Sequence, residues 1–141
     1  MFCLFFLLVV SGCAKVIQSQ SGGAETPTPI VTIREFPDVP IPTDLKLEEK
    51  ESFVYVAPGL ATGLLVYHGN VEYDSLVRFF DENLIQNGWV LRASLKYPQT
   101  LLFYQKESSV CLINIKPAAL KMRVEIWLAP IETLPYEPAM P

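Results

Sequence analysis

Two hydrophobic periods run along this chain, and the switches between them locate its elements. Residues 52–56 (SFVYV) and 64–68 (LLVYH) are short β-rich runs. Ala57-Pro58-Gly59 separates them and Gly69 follows the second, so turn residues bracket a hairpin. From Tyr73 the period lengthens: Tyr73, Leu76, Val77, Phe80 and Leu84 fall at i, i+3, i+4, i+7 and i+11, one face of a helix. Asn70 is the expected N-cap, with Glu72 and Asp74 in a first turn whose dipole favours anions. Asn87-Gly88 supplies the stop, because glycine enters the left-handed region without steric penalty.

Past the helix the period returns to two. Trp89, Leu91, Ala93 and Leu95 are expected on one face, with Val90, Arg92, Ser94 and Lys96 on the other. Turn residues at 97–99, 107–109 and 117–119 separate further strands at 101–106, 110–116 and 121–128. In the last of these, Met122, Val124, Ile126 and Leu128 alternate with Lys121, Arg123, Glu125 and Trp127. Such short connections imply antiparallel pairing of neighbours. The expected fold is α+β, ββαββββ: an antiparallel meander sheet with one long helix packed on one face.

Hydrophobic residues make up 50% of the 141, and much of that excess lies at 2–10, FCLFFLLVV. A helix of this length spans roughly half of a ~30 Å hydrocarbon core, so it is too short to cross a membrane. It does match the apolar region of a secretory signal, with small residues after it. Val10-Ser11-Gly12-Cys13 resembles the lipobox of bacterial lipoproteins. That resemblance implies cleavage between Gly12 and Cys13, a diacylglycerol on the Cys13 sulfur and acylation of the new amine. Two or three acyl chains, at ~0.8 kcal/mol per buried methylene, hold far more firmly than one. Only Met1 precedes the apolar run, where lipoprotein signals usually carry Lys or Arg. Ala14, in place of an Asp, resembles lipoproteins bound for the outer membrane and facing the periplasm.

From 15 to 42 the composition shifts to Gln, Ser, Gly, Thr and Pro, too little apolar surface to offset the entropy of ordering. The expected organisation is a signal at 1–12, a lipidated tether at 13–42, a domain at 43–134 and an extended tail at 135–141. Within the tether, Phe36, Val39 and Ile41 lie among prolines. Two readings stand for them: a lead-in that packs on the domain, or a proline-rich ligand for an aromatic groove. Phe79-Phe80, Asn87-Gly88-Trp89, Leu102-Phe103 and Cys111 resemble the helix-on-sheet domains of small bacterial lipoproteins, over roughly Asp38 to Leu128. In layout they also resemble modules of envelope assembly lipoproteins. The likeness implies a fold, and a fold does not fix a task.

Eleven basic and fifteen acidic side chains leave a net charge of −4, without the field that draws in polyanions, so nucleic acid is not an expected partner. Of Cys3, Cys13 and Cys111, only Cys111 would remain a thiol after processing, which leaves no disulfide framework. Its alternation with Ile113 and Ile115 suits a small core residue; the other reading is a reactive thiol. His68 is the sole histidine and has no HxH, CxxC or HExxH spacing around it, so no metal site is expected. The carboxylates at 48–51 and 81–82 sit in polar runs, and no catalytic residue emerges. No glycine cluster forms a phosphate cradle, so no cofactor is expected either.

One constellation suggests binding. The polar sheet face would carry Arg92, Lys96, Arg123 and Trp127, and Arg and Trp are over-represented in interface hot spots. A solvated sheet face has the same makeup. The expected function is a membrane-anchored, non-catalytic envelope lipoprotein whose domain binds another envelope component, protein or glycan. The alternative is a carrier of a small apolar ligand, in a pocket between helix and sheet lined by residues such as Tyr73, Phe79, Phe80, Trp89 and Phe103.

Overall fold

The computed structural model describes residues 30–33 and 36–131; Gly12, Cys13 and the tail at 135–141 lie outside them. The described chain is mostly antiparallel sheet with one helix, the α+β class expected from the sequence. Its strands are β1 (Ile30–Ile33), β2 (Phe36–Pro42), β3 (Lys46–Leu47), β4 (Phe53–Ala57), β5 (Leu60–Gly69), β6 (Val90–Leu95), β7 (Thr100–Lys106), β8 (Ser109–Ala118) and β9 (Lys121–Pro130). The helix, α1 (Tyr73–Gln86), connects β5 to β6. β1 and β2 form a hairpin of their own, and the other seven strands form one sheet. In it β6, β7, β8 and β9 follow chain order, and β9 then pairs with β5, so α1 links strands that are not neighbours.

β3 and β4 lie in line along one edge of β5, opposite Tyr67–His68 and Leu60–Leu64 respectively. A 3-10 turn, Glu49–Glu51, is inserted between them and breaks the ladder. Ser52 repairs the break: its hydroxyl accepts from the Val66 amide at 2.9 Å and donates to the Glu48 carbonyl at 2.8 Å. Gly63 pairs with Val54 of β4, and a Cβ there would stand 2.5 Å from the Phe53 carbonyl oxygen.

The helix begins later than Asn70. Glu72 is the N-cap, and its carboxylate accepts from the amides of Asp74 and Ser75 at 2.9 and 2.7 Å. Those two bonds pull its pKa down, and they satisfy donors that the first turn otherwise leaves open. At the other end Gly88 takes φ +85°, Trp89 N–H bonds to the Leu84 carbonyl and Gly88 N–H to the Ile85 carbonyl. This is the Schellman arrangement, and the two residues it brings together, Trp89 and Leu84, are both buried.

Leu76, Phe79, Phe80 and Leu84 of α1 share one core with Leu65, Ile113, Ile115, Val124 and Ile126 of the sheet. Phe36, Val39 and Ile41 belong to the same core. The folded region therefore takes in Phe36–Pro42, ahead of the expected boundary at residue 43. β2 tolerates three prolines because within its hairpin it pairs only with β1. Trp89 Nε1 donates to the Asp38 carbonyl and Lys106 pairs with the Asp38 carboxylate at 2.8 Å, which fastens β2 to the sheet. Tyr104 OH bonds to Asp81 and Tyr73 OH to Thr100, so the helix is fastened to β7 twice.

Candidate functional site

Residues directly opposite each other in antiparallel strands share a face, so the pairing register sorts the sheet into two surfaces. Leu65, Ile126, Ile113 and Leu102 form one inner row, all fully or almost fully buried. The adjacent outer row reads Phe53, Leu64, Trp127, Leu112, Phe103 and Ala93, from edge strand β4 to edge strand β6. It contains no charged residue. On one side lie Val66, Glu125, Asn114, Leu101 and Leu95. On the other lie Tyr55, Thr62, Val110, Gln105 and Val90.

This surface is open where its largest side chains stand: Trp127 is 44% exposed, Phe53 57%, Tyr55 58% and Leu95 64%. Single exposed apolar residues are ordinary, but a contiguous stripe marks an interaction surface.

A polar network flanks the middle of the stripe on one side. Arg123 pairs with Glu51 at 2.6 Å and with Glu125 at 2.7 Å, and Lys116 pairs with Glu125 at 2.8 Å. Asn114 Nδ2 donates to the second oxygen of Glu125 at 2.9 Å. Burial alone would raise the Glu125 carboxyl, but the bonds from Lys116, Arg123 and Asn114 outweigh it and hold the pKa at about 2. His68 sits beside this network, its Nε2 3.5 Å from the Arg123 guanidinium. Two cations and two carboxylates cancel, so the network adds no net charge to the face.

The residues proposed from sequence for partner binding do not converge. Trp127 stands in the middle of the apolar row. Arg123 is on the same face, but its guanidinium is engaged by Glu51 and Glu125. Arg92 lies on edge strand β6 and donates to Gln105 at 3.1 Å. Lys96 is exposed just past the end of that strand. The expected facing of β6 is also corrected: a bulge between Leu91 and Ala93 puts Val90, Ala93 and Leu95 on the outer face and Leu91 and Ser94 on the inner. One extra residue reverses the alternation beyond it. Phe53, Leu64, Leu101 and Leu112 are not among the residues expected to bind. For Leu101 and Leu112 the signal was there, since LLF at 101–103 and VCLI at 110–113 are apolar at both parities, the mark of a strand with two apolar faces.

Between helix and sheet, Leu76, Phe80, Leu84, Ile113, Ile115 and Ile126 are fully buried. A cleft of about 280 Å³ lies elsewhere, between the start of β2 and one end of the sheet. Phe36, Trp89 and Leu128 line it, and the Asp38–Lys106 pair stands at its rim. Cys111 is buried on the inner face, and burial pushes its thiol well above the ordinary range. Such a thiol is a poor nucleophile. Among the described residues no group of three or more His, Cys, Asp or Glu is placed to hold a metal ion, and no helix is long and apolar enough to cross a membrane. Comparison of the chain with protein-family models, with curated proteins and with solved structures found no match.

Proposed function

We propose that this chain is a membrane-anchored envelope lipoprotein, held by lipid on Cys13, whose domain has no catalytic task and binds another envelope component. The observation that carries the binding half is the apolar row from Phe53 to Ala93, which crosses the whole outer face with Trp127 at its middle. Leaving such a row in water is unfavourable by roughly 25 cal/mol per Å², a cost that a partner removes. The anchoring half rests on the likeness of Val10-Ser11-Gly12-Cys13 to a lipobox. Ala14 then favours the outer membrane, with the domain facing the periplasm. In this reading α1 covers the inner face of the meander, which leaves the outer face as the docking surface.

The carrier alternative has less support, because the cleft described above lies at one end of the sheet, beside Phe36, Trp89 and Leu128, and not between helix and sheet. Two measurements test the proposal together. Mass spectrometry of the protein from its native membranes should give a mature chain that starts at an acylated Cys13. An unmodified Cys13 with the leader still attached would remove the anchor. Photocrosslinking from Trp127 in the intact envelope should capture a reproducible neighbour, and failure to do so would remove the docking surface.

A further inference from the structure

We infer that the component docked on the outer sheet face is a second copy of this chain, packed sheet against sheet. The inference rests on the docking surface just proposed and names its occupant. The six strands β4, β5, β9, β8, β7 and β6 each give one residue to the row, and its midpoint falls between Trp127 and Leu112. A twofold axis through that midpoint, parallel to the strands and lying between two stacked sheets, sets the row on its own reverse. Trp127 then faces Leu112 of the other copy, Leu64 faces Phe103, and Phe53 faces Ala93. A large side chain meets a smaller one at every position, as interdigitation across stacked sheets requires.

Charge permits the same arrangement. The ionised side chains against the three outer rows are Glu125, neutralised by Lys116 and Arg123 within its own molecule, and the bulge residue Arg92, which donates to Gln105 on edge strand β6, so that the twofold axis sets the two Arg92 side chains at opposite edges. Stacking therefore brings no unpaired like charges together. The area is also adequate. Six strands at about 4.8 Å and three rows at about 7 Å cover roughly 29 by 20 Å. That is a footprint of at most about 600 Å² per molecule; Val66 and Asn114 within it are already buried, so the pair covers on the order of 1,000 Å², the small end of specific interfaces. Such a contact is weak in dilute solution. Anchoring both copies to one membrane raises their effective concentration, and a linked contact of modest strength then becomes populated.

The test uses the full chain, expressed in two differently tagged forms in one bacterial host. One form carries Leu64→Cys and the other Phe103→Cys, positions three strands apart within a molecule but opposed across the twofold axis. Mild oxidation of intact cells should join the two tags into a disulfide dimer, with a yield about tenfold above either cysteine form alone. Trp127→Arg in both forms should lower the yield by about tenfold or more, as loss of a central hot spot does. Glu82→Cys, exposed on the helix, should give no dimer above the parent chain. Two results overturn the inference and differ in what they leave. If the mixed pair fails while photocrosslinking from Trp127 captures a different protein, the docking surface stands and its occupant is wrong. If neither joins to anything, the docking surface falls as well.

Discussion

Ile113 and Leu112 are neighbours on β8, yet they belong to different worlds. Ile113 points to the inner face and is fully buried, held between Leu102 and Ile126 beneath the helix. Leu112 points to the outer face, between Phe103 and Trp127, and keeps part of its surface in water. Both side chains are aliphatic and of similar size, so composition does not separate them. What separates them is that α1 and β2 contribute to the inner core and no described element is needed to complete the outer row. One sheet therefore carries two apolar faces, the first consumed by folding and the second still available.

Truncation of each side chain measures this contrast directly. Ile113→Ala should lower unfolding stability by about 2–5 kcal/mol, the range for deletion of a buried aliphatic side chain with its residual cavity. Leu112→Ala should cost less than half as much in the purified protein, because less area returns to water and no enclosed cavity forms. Urea denaturation of the two variants beside the parent reads the difference. Equal losses would mean that the outer face is packed as tightly as the inner, and the contrast would break.

The next largest effect belongs to the seam of the edge strand. Ser52 stands in for the ladder partner lost where Glu49–Glu51 interrupts β3 and β4, and the Val66 residue it serves is fully buried. Ser52→Ala leaves that amide without its acceptor, at an expected cost of about 1–3 kcal/mol. Hydrogen exchange should show faster opening at Val66 and in β4, while β8 and β9 stay protected. Because β4 carries Phe53 and Tyr55, this variant also tests whether the outer row depends on its edge. A Ser52→Thr variant, which keeps the hydroxyl, should restore most of the loss.

The two faces were not equally legible in the sequence. The helix was, because Leu76, Phe80 and Leu84 recur at helical spacing and Gly88 punctuates its end. So was β9, where Val124, Ile126 and Leu128 alternate with residues that are charged or amphipathic. β2 lies in a stretch whose composition reads as tether, while Phe36, Val39 and Ile41 among its prolines suit a lead-in that packs on the domain, and the hairpin register shows how Pro37, Pro40 and Pro42 fit a strand. The bulge beside Arg92 left no mark, since one inserted residue changes the facing without changing the composition. The outer row was hidden for a different reason. Where a run is apolar at both parities, as at 101–103 and 110–113, periodicity shows that both faces are apolar but does not say which face the helix covers. Of the four residues expected to bind, Trp127 alone lies in the row, and Arg123 is engaged by two carboxylates.

The smallest effect sharpens the comparison at the polar end of the outer face, where pH separates a structural network from an idle one. Glu125 ionises at about 2 in the folded chain against an ordinary 4.5, since the bonds from Lys116, Arg123 and Asn114 outweigh its burial. A folded pKa below the unfolded one means the stabilisation is fully present above pH 4.5 and is lost as pH falls from there towards 2. Glu51, held below its ordinary value chiefly by the Arg123 hydrogen bond, changes in the same direction. Glu125→Gln keeps an acceptor for Asn114 and removes the charge, so the stability of that variant should fall less steeply across this window than the parent's. The gap between the two curves should be at most about 1 kcal/mol, the scale of ion pairs that solvent partly screens, and should shrink in high salt. Urea midpoints taken between pH 5 and 2 read it. Parallel curves would show that Lys116 and Arg123 do not hold Glu125 in solution, and the outer face would then present free charges beside Trp127 where a stacked copy requires a neutral border.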